Sequence, residues 1–145
     1  MAVTTMLDII SVETGYEPSE EHFSYLNSFV SQEKRERISR FRHKKDAVNT
    51  LMGEVLARHM ISACSGLPAA RLEIEPDPHG KPVPVNAPGV HFNISHSGDL
   101  VVCAVSSHPV GVDIELVRSA NPGIAKRFFR EDECLYISRS EDFLK

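Results

Sequence analysis

The chain has 145 residues, 41% of them hydrophobic and 25% charged, with a formal net charge of −4. That composition is globular and excludes a disordered or fibrous chain, and no apolar run reaches the roughly 20 residues a membrane-spanning helix needs. The acidic balance argues against general affinity for nucleic acid, and the length suits a single α+β-sized domain with its own core.

The first residues, MAVTTMLDIISVETGYE, lack a basic start followed by an apolar stretch, so no secretory signal is expected. Residues 1–30 show little periodicity and yield no predicted element. Cys64, Cys103 and Cys134 are odd in number and widely spaced, which predicts reduced thiols in a cytoplasmic protein, not a disulfide framework or a zinc site. Cys103, inside LVVCAV, reads as a small core residue.

Ser31 is a predicted N-cap with Glu33 in the first turn. Seven basic residues and one acid follow between Lys34 and Lys45, a positive segment in an acidic chain that points to an anion partner or to a solvated helix face. From Val48, the spacing of Leu51, Met52, Val55, Leu56 and Met60 predicts an amphipathic helix ending before Leu67-Pro68. Residues 71–75, RLEIE, alternate like a strand, and the proline-rich stretch 76–89 reads as a loop. Residues 90–95, 100–105 and 110–117 read as three strands with connections short enough for antiparallel pairing. Asn121-Pro122 offers an N-cap and a first-turn proline for a helix through IAKRFFREDECLYIS. The predicted class is α+β: N-terminal helices, a small antiparallel sheet, then helix.

Along 110–117 the alternation places Val110, Val112, Ile114 and Leu116 on one side and Gly111, Asp113 and Glu115 on the other. Two carboxylates about 6.5–7 Å apart along a strand repel unless a cation lies between them. Magnesium suits that arrangement, and a solvent-exposed polar edge is the plainer reading. Asn93-Ile94-Ser95-His96-Ser97-Gly98 closes a strand with hydroxyls, an imidazole and backbone N–H groups that can bind phosphate oxygens, or simply form a polar turn. Ser95 and His96 point to opposite faces, which disfavours a nucleophile–base pair. Gly80-Lys81-Pro82 restrains a lysine but lacks the spacing of a phosphate-binding Walker loop. Glu133 alone is a surface helix acid by default.

Taken in order, Phe41-x-x-x-x-Asp46-Ala47, Gly80-Lys81-Pro82, Phe92-Asn93-Ile94-Ser95-His96-Ser97, Gly111-Val112-Asp113-Ile114-Glu115 and Arg127-Phe128-Phe129 resemble the surfactin-type 4'-phosphopantetheinyl transferases. The resemblance runs from about Ser31 to Glu133. It implies magnesium-dependent transfer of phosphopantetheine from coenzyme A to a serine of an acyl or peptidyl carrier protein, in a setting such as nonribosomal peptide or antibiotic synthesis. It implies that Asp113 and Glu115 bind magnesium, that Ser95 and His96 contact coenzyme A phosphates, and that Lys81 and Pro82 lie along that cofactor. Lys34 and Arg37 match basic positions near its 3'-phosphate. Glu133, with His96, matches the reacting centre. Members of this type are built of two similar halves, the second carrying a Trp-Ser-x-Lys-Glu motif; this sequence has no tryptophan and stops at Lys145. Residues 1–145 are therefore expected to be the first half of that pseudo-twofold fold, with the C-terminal half absent. Smaller holo-synthase relatives of about this length place their acids near the N-terminus, an organisation this sequence does not share. A catalytically inactive remnant is the rival expectation, and a nucleic-acid-binding module using residues 34–45 a more distant one.

Overall fold

A computed structural model describes residues 6–117 and 122–139. The chain divides into two compact units, Met1–Glu115 and Leu116–Lys145. In the first, the order is β1 (Leu7–Glu13), α1 (Glu20–Asn27), α2 (Gln32–Ser39), α3 (Lys44–Ser65), a 3-10 turn (Ala69–Arg71), β2 (Ile74–Pro76), β3 (Pro82–Pro84), β4 (His91–Ser97) and β5 (Leu100–Ser106). The second contains α4 (Pro122–Phe128) and α5 (Glu131–Arg139).

The main sheet has the order β1-β5-β4, with both pairings antiparallel. The β4–β5 hairpin turns on Gly98-Asp99, with Ser97 opposite Leu100. Gly98 has φ +59 and no non-glycine residue among those described has positive φ, the pattern of a turn with glycine at its first central position. Helix α3 lies across one face of this sheet. Its Leu56, Ala57, Met60 and Ile61 meet Phe92, Cys103 and Val105 in the main core. A side chain the size of Phe92, 2% exposed, contributes roughly 1.5–3 kcal/mol by leaving water. The approach is close because position 53 is glycine: a Cβ there would lie 2.8 Å from Ile94 Cγ2. A smaller cluster of Val30, Ile38, Ala47 and Leu51 joins α1 and α2 to α3.

Caps explain the helix limits. The Ser31 hydroxyl accepts from the Lys34 N–H, as its predicted N-cap role requires, and Ser19 does the same for α1 through the His22 N–H. Gly66 ends α3 in the left-handed region at φ +74. Asn121, the predicted cap of α4, lies outside the described residues.

Several expectations are corrected. Residues 1–30 contain the edge strand β1 and helix α1, so a strand is the first element among the described residues. Helix α3 begins at Lys44, ahead of the apolar stripe. The 71–75 strand shrinks to Ile74–Pro76, preceded by a 3-10 turn, and the proline-rich loop contains β3, which pairs with β2. Phe129 and Arg130 interrupt the predicted C-terminal helix, dividing it into α4 and α5. Residues 110–117 form no strand; what holds them in place is described next.

Candidate functional site

Residues 110–115 lie along β4 without joining its ladder. Three side chains replace the missing main-chain bonds. Lys81 Nζ donates to the Val110 carbonyl at 3.0 Å, Asn93 Oδ1 accepts from the Val112 N–H at 2.8 Å, and Ser95 Oγ accepts from the Ile114 N–H at 3.2 Å. The anchors fall at 110, 112 and 114, a period of two. Val110, Val112 and Ile114 are half-buried, while Gly111, Asp113 and Glu115 are exposed. The alternation read from sequence holds over 110–115 without a strand, but Leu116, expected on the apolar side, is 52% exposed. Ser95 Oγ also donates to Asp113 Oδ1 at 2.8 Å, fixing that carboxylate. It does not serve as the partner of a histidine base. His96 points to the face opposite Ser95 and is exposed.

The donor chemistry at this platform is oxygen only: two exposed carboxylates, one tethered by a serine hydroxyl. That fits magnesium, which takes one or two carboxylates and keeps water and substrate phosphate for the rest. It is a poor match for zinc, whose sites are built mainly on histidine nitrogen and cysteine sulfur even where a carboxylate takes part. No group of three or more His, Cys, Asp or Glu that could hold a metal occurs among the described residues, so Asp113 and Glu115 would supply only part of a coordination shell.

A second assembly lies where α2 meets α3 and β2–β3. Lys34, Arg37, Gly80 and Pro82 line a cavity of about 190 Å³. Lys34 Nζ is 3.2 Å from Glu54 Oε2, and Arg58 Nε is 2.9 Å from Glu54 Oε1. Arg58 also donates to the carbonyls of Ala69 and Leu72 at 3.2 and 2.9 Å. Pro82 and Lys81 belong to one turn, closed by bonds between Asp77 and Lys81. One end of that turn lines the cavity, and the other grips Val110. Of the predicted residues, Lys34, Arg37 and Pro82 are thus gathered at one cavity, and Ser95 and Asp113 at the platform. Lys81 joins the turn to the platform.

Glu133 belongs to the second unit. There its carboxylate accepts from the Arg130 N–H at 2.8 Å, reaching back across the first turn of α5 as a capping residue.

Sequence reasoning missed two features. The Glu54–Arg58 pair is spaced i,i+4 on one helix, a legible ion-pair signal hidden by the apolar stripe around it. Asn49 is buried; its Oδ1 accepts from Thr14 Oγ1 and its Nδ2 donates to the Gly98 carbonyl, tying the end of β1 and the hairpin turn to α3. An asparagine interrupting an apolar helix stripe was the available signal.

Cys64 and Cys103 form no disulfide. Cys103 is fully buried, and desolvation pushes its thiol up to about 12. Burial, with a smaller contribution from Asp8, also raises Cys64.

With this geometry in hand, the N-terminal domain family described as "4'-phosphopantetheinyl transferase, N-terminal" matches residues 14–108. The chain belongs to the 4'-phosphopantetheinyl transferase family. The match spans the cavity residues and Ser95 but ends before Asp113. The chain is 48% identical over 115 residues to the transferase ffp of Bacillus subtilis, covering 79% of this chain and 51% of that one. It is 45% identical over 115 residues to Sfp of Bacillus subtilis strain 168, and 37% identical over 132 residues to gsp of Aneurinibacillus migulanus. It spans about half the length of these relatives. A holo-(acyl-carrier-protein) synthase from Bacillus anthracis str. Ames, solved with CoA (3',5'-ADP), has a similar fold. Its TM-score is 0.54 at 18% identity, covering 69% of this chain and 92% of that one.

Proposed function

We propose that this chain contributes the N-terminal half of a magnesium-dependent transferase that moves 4'-phosphopantetheine from coenzyme A to a carrier-protein serine. The observation that carries the reading is the platform of Asp113 and Glu115, held on one exposed face by Lys81, Asn93 and Ser95. These two carboxylates would hold magnesium. Magnesium held there would supply positive charge to offset negative charge on the substrate phosphates. Lys34 and Arg37 would bind the 3'-phosphate end of coenzyme A, and Pro82 would line its path. Ser95 keeps one carboxylate oriented, and His96 offers an exposed imidazole to a phosphate oxygen. The attacking hydroxyl comes from the carrier protein, so no nucleophile is needed within the chain. A catalytic role for Glu133, as the family resemblance implies, is part of the proposal.

A cytoplasmic setting is part of the proposal, supported by the odd number and wide spacing of Cys64, Cys103 and Cys134. Among the described residues no helix is long and apolar enough to cross a membrane. The nucleic-acid reading of residues 34–45 loses ground: Lys34, Lys44 and Lys45 are paired with Glu54, Glu17 and Asp99, and Arg35 donates to the Val30 carbonyl.

The test is to join this chain to the C-terminal half of the Bacillus subtilis relative and incubate it with coenzyme A, magnesium and an apo carrier protein. Mass spectrometry should find the added phosphopantetheine, and Asp113→Ala should abolish it. A folded chimera that modifies nothing, or an Asp113→Ala chimera that modifies as well as its parent, would contradict the reading.

A further inference from the structure

The buried Glu54 carboxylate is not explained by the platform or by the core. It is 6% exposed, and its two oxygens have different partners. Arg58, itself 7% exposed, holds Oε1 and is in turn anchored by the Ala69 and Leu72 carbonyls. That half of the arrangement is rigid and interior. The other oxygen, Oε2, faces Lys34 on α2, whose side chain is 27% exposed and lines the cavity with Arg37, Gly80 and Pro82.

A lysine on an exposed helix ordinarily samples many rotamers, and fixing it costs side-chain entropy. Here that cost is met before any ligand arrives, because the acceptor is immobile. Around the cavity Lys34, Arg37 and the adjoining Arg58 stand against Glu54, Glu33 and Glu75, three cations against three acids. Two exposed acids, Glu33 and Glu75, lie on the same rim and oppose indiscriminate anion binding. Selectivity then depends on where the cation sits as well as on total charge.

We propose that Glu54 is a positioning residue: through its second oxygen it aims the Lys34 ammonium into the cavity, setting that cavity's preference for a ligand ending in a phosphate monoester. The inference rests on the coenzyme A reading above and assigns the residue that makes its basic end selective. A carboxylate so near an anion site would otherwise only weaken binding. Its presence there is explained if pre-orienting the lysine gains more than the charge loses.

Glu54→Gln separates the two halves of the arrangement. The Gln carbonyl still accepts from Arg58, while its NH₂ faces Lys34 and cannot accept. The 145-residue chain is titrated by NMR with coenzyme A and with dephospho-coenzyme A, without magnesium. The wild type should prefer coenzyme A by about tenfold, the worth of one charge-assisted contact. In Glu54→Gln the preference should fall to within about twofold, and Lys34→Gln should produce the same loss. The double variant should lose nothing further, because Glu54 acts through Lys34. A Glu54→Gln chain that keeps or increases the preference overturns the positioning role, as does an additive double variant. A wild type with no preference removes the coenzyme A reading of this cavity, and the proposal with it. If circular dichroism finds Glu54→Gln unfolded, Glu54→Asp replaces it. That variant keeps the charge for Arg58 but draws the carboxylate back from Lys34, so an undiminished preference overturns the proposal equally.

Discussion

The extended segment carrying Asp113 and Glu115 depends on side chains for its place, and Asn93 is the most accessible of them to test. Asn93→Ala removes the acceptor of the 2.8 Å bond from the Val112 N–H. A typical bond is worth about 1 kcal/mol net, and a partly buried donor left without a partner adds about 1 kcal/mol more before water compensates. A net loss near 1.4 kcal/mol corresponds to about a tenfold change in a local opening equilibrium. Amide hydrogen exchange should therefore be about ten times faster at Val112 in the variant. The Ile114 amide, bonded to Ser95, should change less, and the Val105 amide in β5 should not change. Asn93→Asp keeps an acceptor at the same place and should leave Val112 protected. If Val112 exchanges freely in the wild type, or at the same rate in Asn93→Ala, side chains do not hold this segment and the platform argument fails.

Gly53→Ala should lower the urea midpoint, by an amount equivalent to about 1 kcal/mol. Overpacking against Ile94 costs about 1–3 kcal/mol, and the better helix propensity of alanine offsets up to about 1 kcal/mol. A raised midpoint would mean that α3 does not approach β4 so closely. Cys103 should resist a disulfide reagent at pH 8 in the folded chain and react only as fast as the chain unfolds, because its thiol is pushed up to about 12. The same shift, from 9.0 to about 12, favours the neutral thiol in the fold. Its contribution to stability is whole below pH 9 and is lost as pH rises towards 12, a slope that Cys103→Ala should flatten in urea titrations. The 145 residues by themselves should transfer no phosphopantetheine to an apo carrier at catalytic concentrations, as read by mass spectrometry. They span about half of their relatives and include no Trp-Ser-x-Lys-Glu motif.

FNISHS and GVDIE stand out in the sequence by residue type, and the fold brings them together, with Ser95 and Asp113 meeting at 2.8 Å, a contact the sequence did not announce. The alternation at 110–115 predicted which side chains would be exposed, yet it could not distinguish a ladder from a segment held by side chains, since both present one face to water. Strand β1 escaped notice for a related reason. In LDIISVE the apolar residues Leu7, Ile9, Ile10 and Val12 do not alternate cleanly, and Leu7 and Ile9 stay more than half exposed on an edge. The break between α4 and α5 was equally hidden, because no glycine or proline marks Phe129-Arg130; the signal was Glu133, three residues on, as a capping acid. The charge run at 34–45 misled by its uniformity. Its residues have separate fates, Lys34 at a buried carboxylate and Lys45 at the hairpin turn, and only tertiary structure assigns them.

The most direct test of the account is a titration of the chain with coenzyme A, followed by NMR, with and without magnesium, for the wild type and Asp113→Ala. The account predicts that magnesium tightens coenzyme A binding in the wild type, with shifts at Ser95 and residues 111–115, and that it has no effect in the variant. Equal magnesium enhancement in Asp113→Ala, or none in either protein, would contradict it.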